Sequence, residues 1–137
     1  MTAPVFVDTN VLLYADDKAV PAKCKRAQDL IKEVFRERNG WLSIQVLQEY
    51  FAVATKKLGL DPELARQRVE VYSKMEVVAF SAADVLAAID LHRLYRFSIW
   101  DSLIVRAALI AGCRKLYSED LQAGFRIERL EIVNPFH

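Results

Sequence analysis

Cysteine is nearly missing from this chain: Cys24 and Cys113 are the two present, and their spacing fits neither a zinc site nor a disulfide framework. Histidine is as scarce, with only His92 and His137. No apolar run reaches the roughly 18 residues needed to cross a bilayer, which argues against a membrane span. The opening Met1-Thr2-Ala3-Pro4 carries neither a basic segment nor a long apolar one, so no secretory signal is expected, and a reducing cytoplasm is the expected compartment. An excess of one charge is missing too. Nineteen basic residues stand against 18 acidic ones, net +1, which is not the bulk signature of a nucleic-acid binder. Acids gathered at one site would leave the remaining surface more basic than this total implies, so the total neither supports nor excludes an RNA or DNA substrate. No repeat, low-complexity tract or linker interrupts the sequence.

Core-forming material is abundant. Hydrophobic residues make up 53% of 137, enough for one domain spanning residues 1–137 that buries roughly two-thirds of its unfolded surface. Val5-Phe6-Val7 reads as a short buried strand leading into a helical Thr9–Tyr14 segment, and Asp16-Asp17-Lys18 as a loop. An amphipathic helix follows from about Pro21 to Arg38, with Ala27, Leu30, Ile31, Val34 and Phe35 on one face. Trp41–Ser43 is a second strand, and Ser43 caps a helix to about Leu58 whose main apolar stripe is Ile44, Leu47, Phe51, Ala54 and Leu58. Asp61-Pro62 opens the next helix. Val77–Phe80 is a third strand, and Ser81 with Asp84 forms a capping box for a helix to about Tyr95. Ser98 caps a helix that ends at Gly112 and, being apolar nearly all round, should be buried nearly all round. Lys115–Ser118 and Leu130–Val133 complete five strands. The alternation implies an α/β domain, with helices packed around a mostly parallel sheet.

Four carboxylates interrupt apolar stretches: Asp8 after the first strand, Glu49 between Val46 and Val53 on its helix, Asp101 at the start of the last helix, and Asp120 after the fourth strand. Each has an ordinary explanation taken alone. Asp8 and Asp101 suit helix N-termini, Glu49 suits the edge of a core, and Asp120 suits a turn capped by Ser118. Together they are costly. A buried carboxylate costs several kcal/mol unless neutralised, and two like charges about 4 Å apart repel by roughly 4 kcal/mol at an effective dielectric of about 20. In parallel sheets ligands bind beyond the carboxyl ends of strands, where Asp8 and Asp120 both fall. A divalent cation resolves the repulsion, and phosphoryl chemistry is its common purpose. The chain reads as a metal-dependent nuclease. Asn10 adds an amide placed to orient a carboxylate or a water.

Val5-Phe6-Val7-Asp8-Thr9-Asn10-Val11-Leu12, Glu49 on its helix, Trp100-Asp101-Ser102 and Tyr117-Ser118-Glu119-Asp120-Leu121 resemble the acidic motifs of the PIN-domain ribonucleases. Their order and the chain's size are most similar to the VapC-type toxins of toxin–antitoxin modules. The resemblance implies an α/β/α sandwich, dependence on Mg²⁺ or Mn²⁺, endonucleolytic cleavage of RNA to 5′-phosphate and 3′-hydroxyl ends, a homodimer, and neutralisation by a cognate antitoxin. Asp8, Glu49, Asp101 and Asp120 match the family's acidic quartet; on this reading Asp8 and Asp101 are expected to ligate the main ion directly, Asp120 directly or through water, and Glu49 to hold a water or a second ion. Ser118 matches a Thr or Ser often found near the metal. Family members often carry a further acid two residues past the fourth, where this chain has Gln122, which argues against a second fully built metal site. Neither His92, in a helix, nor His137, the last residue, suits metal-free cleavage through the 2′-hydroxyl. Candidate phosphate contacts are Lys56, Lys57, Arg93 and Arg96, the last two expected one helical turn apart.

Three other readings compete. A haloacid-dehalogenase-type phosphatase needs a second Asp where this chain has Asn10. A phospho-acceptor receiver domain needs a mid-chain Asp after a strand, whereas Asp61 follows the helix-ending Gly59. A non-catalytic RNA- or protein-binding module on the nuclease fold is the strongest rival.

Overall fold

Five of the six helices start where a short polar side chain meets their free N–H groups, and α2 starts with proline instead. The computed structural model describes residues 2–137; Met1, the first residue of the N-terminal stretch discussed above, lies outside the described residues. Strand β1 (Val5–Val7) ends at Asp8, whose carboxylate accepts from Thr9 N and caps α1 (Thr9–Tyr14). Helix α2 (Pro21–Glu37) begins with proline, stops at Arg38 in a left-handed conformation, and buries Ala27, Leu30, Ile31 and Val34 as its periodicity predicts. Strand β2 (Gly40–Ser43) leads to α3 (Ile44–Lys56), where Ser43 Oγ accepts from Val46 N. Asp61 caps α4 (Pro62–Tyr72), so the mid-chain acid of the receiver reading is spent on a helix end. After β3 (Glu76–Val78), the Ser81–Asp84 capping box opens α5 (Ala82–Tyr95). Ser98 caps α6 (Ile99–Ile110), and β4 (Lys115–Tyr117), β5 (Arg126–Ile127) and β6 (Leu130–Val133) follow.

The strands form one six-stranded sheet in the order β3-β2-β1-β4-β6-β5, parallel except for the β5–β6 pair. The chain steps outward from β1 through β2 to β3, then crosses back to β4. Right-handed crossovers therefore put α1–α4 on one face and α5–α6 on the other. The packing agrees: α1 touches α2 and α3, α3 touches α4, and α5 lies along α6. The sheet is covered on both sides, so β1 is buried throughout, and Phe6, Val7, Leu42 and Leu116 of the central strands are fully enclosed.

The fold departs from the sequence reading in four places. The buried face of α3 is Val46, Tyr50 and Ala54, whereas Ile44 and Phe51 of the expected stripe are exposed. Tyr50 and Val46 won because the helix packs against both α1 and α4. The third strand is shifted to Glu76–Val78, leaving Phe80 outside it. Helix α6 is not enclosed all round, since Trp100 and Ile110 are exposed. Strand β5 was not anticipated. Two residues carry no periodicity, and Glu128 takes the left-handed turn position (φ 56°) that sequence patterns assign to Gly or Asn.

Gly40 is where α2 closes on the sheet. A Cβ there would collide with Val34 Cγ1 and press on the sulfur of Met75. Gly40→Ala is expected to destabilise the fold by about 1–3 kcal/mol, read as a lower urea midpoint at unchanged slope.

Candidate metal centre

Sheet order fixes where the acids meet. The chain leaves β1 towards β2 on one side, while β4 pairs on the other, so the carboxyl ends of β1 and β4 flank the point at which strand order reverses. Val7 is level with Tyr117, and Asp8 N donates to Tyr117 O at 3.0 Å, which brings Asp8 and Ser118 side by side at that rim. Asp8 is 5% exposed. Its Oδ1 accepts from Thr9 N at 2.7 Å, and its Oδ2 accepts from Ser118 Oγ at 2.7 Å and Asn10 Nδ2 at 3.2 Å. Ser118 Oγ in turn accepts from Asp120 N at 3.2 Å.

Asn10 is the hub of the rim. Its Nδ2 lies 3.1 Å from Asp120 Oδ2 and 3.3 Å from Ser118 Oγ, and its Oδ1 accepts from Glu119 N at 3.1 Å. Asp8 and Asp120 therefore share one amide nitrogen. Glu49 comes from α3 and accepts from Thr9 Oγ1 at 3.1 Å and from Gln45 Nε2 at 3.3 Å. Gln45 Nε2 also reaches the Trp100 carbonyl at 3.3 Å, tying α3 to the start of α6 one residue before Asp101. Asp101 sits in the first turn of α6, where its own N–H donates to Ser98 Oγ at 3.0 Å.

Electrostatics record the crowding. Burial, the largest cause, pushes Asp8 up to about 7. Hydrogen bonds from Ser118 and Thr9 oppose the rise, and the charges of Asp120 and Asp101 add to it. Asp101 is also raised, by partial burial and by Asp120, against the stabilising bond at Ser98. Among the described residues seven ion pairs form, and none involves Asp8, Glu49, Asp101 or Asp120. The four are not drawn into a closed cage, since no three His, Cys, Asp or Glu side chains of the described residues stand together as a ready ligand group. Hydrogen bonds hold Glu49 on Thr9 and Asp120 on Asn10 instead. An all-oxygen donor set around a buried, unpaired carboxylate nonetheless fits a hard divalent cation.

The other expected residues divide. Lys57 lines a cleft of about 210 Å³ together with Asn10, Tyr14, Glu119 and Asp120, beside the acids. Lys56, its neighbour, is exposed and does not line that cleft. Arg93 and Arg96 are both exposed, but Arg96 is the left-handed cap of α5 (φ 64°), so the two do not share a helical turn as expected. His92 is exposed and its Nδ1 meets the Phe97 carbonyl. Sequence reasoning missed Thr9 and Gln45, whose roles depend on partners 40 and 55 residues away. It also missed Asp16, read as a loop residue. Its carboxylate side chain is 8% exposed, accepts from Tyr50 Oη and pairs with Arg68 Nε at 3.1 Å, which clamps α1, α3 and α4. Glu119 is likewise engaged, by Tyr14 Oη at 2.6 Å and by Lys23, which hold its carboxyl low against the cost of burial. No helix of the described residues is long and apolar enough to cross a membrane, and both cysteines are free.

Residues 5–126 match the family model described as "PIN domain". No curated protein sequence matches the chain. Among solved structures it is similar to VapC20 of Mycobacterium tuberculosis, described as a sarcin–ricin loop cleaving toxin, at TM-score 0.67 and 17% identity over 85% of this chain and 89% of that one. It is similar to a toxin–antitoxin complex from Klebsiella pneumoniae at TM-score 0.70 and 16% identity, covering 96% and 97%. It is also similar to VapBC2 of Rickettsia felis, bound to a DNA fragment from its promoter, at TM-score 0.63 and 20% identity, covering 93% and 96%. At these identities the likeness is one of fold.

Proposed function

Since this chain belongs to the PIN domain family, we propose that it is an endoribonuclease that uses Mg²⁺, or Mn²⁺, to hydrolyse RNA phosphodiester bonds, and that it is the toxin of a toxin–antitoxin pair. One observation carries the reading. Asp8 is a buried carboxylate with no cationic side chain paired to it, set among further acids at the switch point of a parallel sheet. A cation bound there supplies an acidified water and relief of charge on the phosphate oxygens.

The chain's own residues do the rest. Asp8 and Asp101 are the direct ligands, with Asp120 direct or through water and Glu49 on a water or a second ion. Ser118 and Thr9 N fix the Asp8 carboxylate in one rotamer, so that little reorganisation accompanies loading. Asn10 holds the Asp120 loop against α1, and Thr9 and Gln45 aim Glu49. Lys57 meets RNA phosphate beside this rim, with Lys56, Arg93 and Arg96 farther out as weaker contacts. A cognate antitoxin and a second copy of the chain are the proposed protein partners, and the cytoplasm the compartment. The antitoxin is supported by likeness to two structures described as a toxin–antitoxin complex and as VapBC2.

The test is cutting of RNA by purified protein, which Mg²⁺ should support and EDTA abolish. Cutting undiminished by chelation, or none in Mg²⁺ or Mn²⁺, would end the reading. Lys57→Ala is expected to weaken RNA binding and flatten its salt dependence by a slope of about 1, with Lys56→Ala changing less. Titration of binding against salt checks both.

A further inference from the structure

Immediately beside the acids lies a cleft of about 450 Å³, within the range of small-ligand sites (roughly 300–1,000 Å³). Its walls include Phe80, Val85, Leu103 and Trp100, and Gln45 and Gln48 also line it. No lining residue is ionisable. Trp100 is 63% exposed and directly precedes Asp101 in α6. The cleft and the acids are mechanically joined, because Gln45 Nε2 bonds both Glu49 Oε1 and the Trp100 carbonyl.

We propose that this cleft is a nucleobase subsite, in which one unpaired base of the RNA stacks on Trp100 while the amide of Gln48 meets its edge. The proposal rests on the nuclease reading and names the substrate as single-stranded at the position next to the cut. Charge decides between the parts of a nucleotide. The phosphate belongs at the cation-binding rim and Lys57, and a cleft without charge accepts the flat, neutral base. Gln45 belongs to the cleft and also bonds Glu49, so the base and phosphate sites adjoin. Aromatic stacking tolerates any base, whereas an amide discriminates among hydrogen-bonding edges. Trp100 therefore supplies affinity and Gln48 preference.

The experiment uses the full chain in Mg²⁺ on an Asp101→Asn background, with a short unstructured RNA labelled for fluorescence anisotropy. Trp100→Ala should weaken binding roughly five- to 150-fold and Trp100→Phe much less. Moving a single abasic position along the RNA should weaken binding at one site in the Trp100-containing protein and at none in Trp100→Ala. Circular dichroism checks that the variants are folded, which the exposure of Trp100 favours. Equal RNA binding by folded Trp100→Ala overturns the subsite. So does a loss of binding that tracks dissociation of an oligomer by light scattering, because the face would then be covered by a second copy or another protein. Wild-type protein that binds RNA with this abasic pattern but does not cut it would overturn the nuclease reading and leave the subsite in place.

Discussion

Asp8→Asn is expected to abolish RNA cutting and yet, without metal, to give a more stable protein than wild type above pH 7. Both effects come from one atom pair. If Asp8 is the direct cation ligand proposed above, its loss should lower cutting by at least roughly a hundred- to a thousandfold, the scale on which preorganised electrostatic groups act. The stability gain follows because a charged Asp8 is buried and unpaired, and raising its carboxyl from an unperturbed value near 3.8 to about 7 corresponds to about 4 kcal/mol at high pH. Asparagine removes that penalty but does not keep every bond. Its oxygen can still accept from Thr9 N, whereas its amide faces Asn10 Nδ2 as donor against donor, a loss of about 1–2 kcal/mol. A net gain of about 2 kcal/mol remains. Asp101→Asn should be as inactive but gain less in stability, since Asp101 is only partly buried and keeps the bond at its backbone. Cutting assays paired with urea melts of both variants separate the two effects. A destabilised Asp8→Asn would show that the carboxylate is already compensated in the free protein.

The second large effect is a pH-dependent response to metal. Asp8 has a folded pKa above its unfolded value, so protonated Asp8 favours the fold fully below about pH 4, and that contribution is lost as pH rises through about 7. Asp101, raised in the same sense, adds to the slope. The chelated protein should therefore lose stability between about pH 4 and pH 7. Metal bound to the charged form reverses this, by about 2.7 kcal/mol at a hundredfold excess over Kd. In a chain of this length each kcal/mol moves Tm by about 3–6 °C, so saturating Mg²⁺ should raise Tm by several degrees at pH 8 and hardly at all at pH 5. Thermal melts with EDTA, Mg²⁺ and Mn²⁺ at the two pH values measure it. An equal shift at both would mean that the cation does not bind Asp8.

Local chemistry in the sequence carried most of the architecture, because every helix start has its own signal. Asp8, Ser43, Asp61, Ser81 and Ser98 each act at a cap as their positions suggested. Strands buried on both faces read as plain apolar runs, and the alternation gave a mostly parallel sheet flanked by helices. What depended on distant partners was illegible. Nothing near Asp16 announces Tyr50 and Arg68, and nothing near Glu49 announces Thr9. The face of α3 was misjudged for the same reason: on a helix with apolar residues on two sides, the neighbours choose which side is buried. The acids could be picked out because carboxylates in apolar stretches are costly anywhere. Their hydrogen-bonded separation could not, since it is set by Asn10 and Thr9 rather than by the acids themselves.

The hub at Asn10 also bears on synthesis. Its partners Ser118 and Asp120 lie 108 and 110 residues farther along, and β1 has no neighbour on that side until β4 is made. During translation the first carboxylate is made early, and more than a hundred further residues follow before its companions arrive. A fragment that stops short of β4 consequently has the first carboxylate without the Ser118 and Asp120 partners that complete its rim.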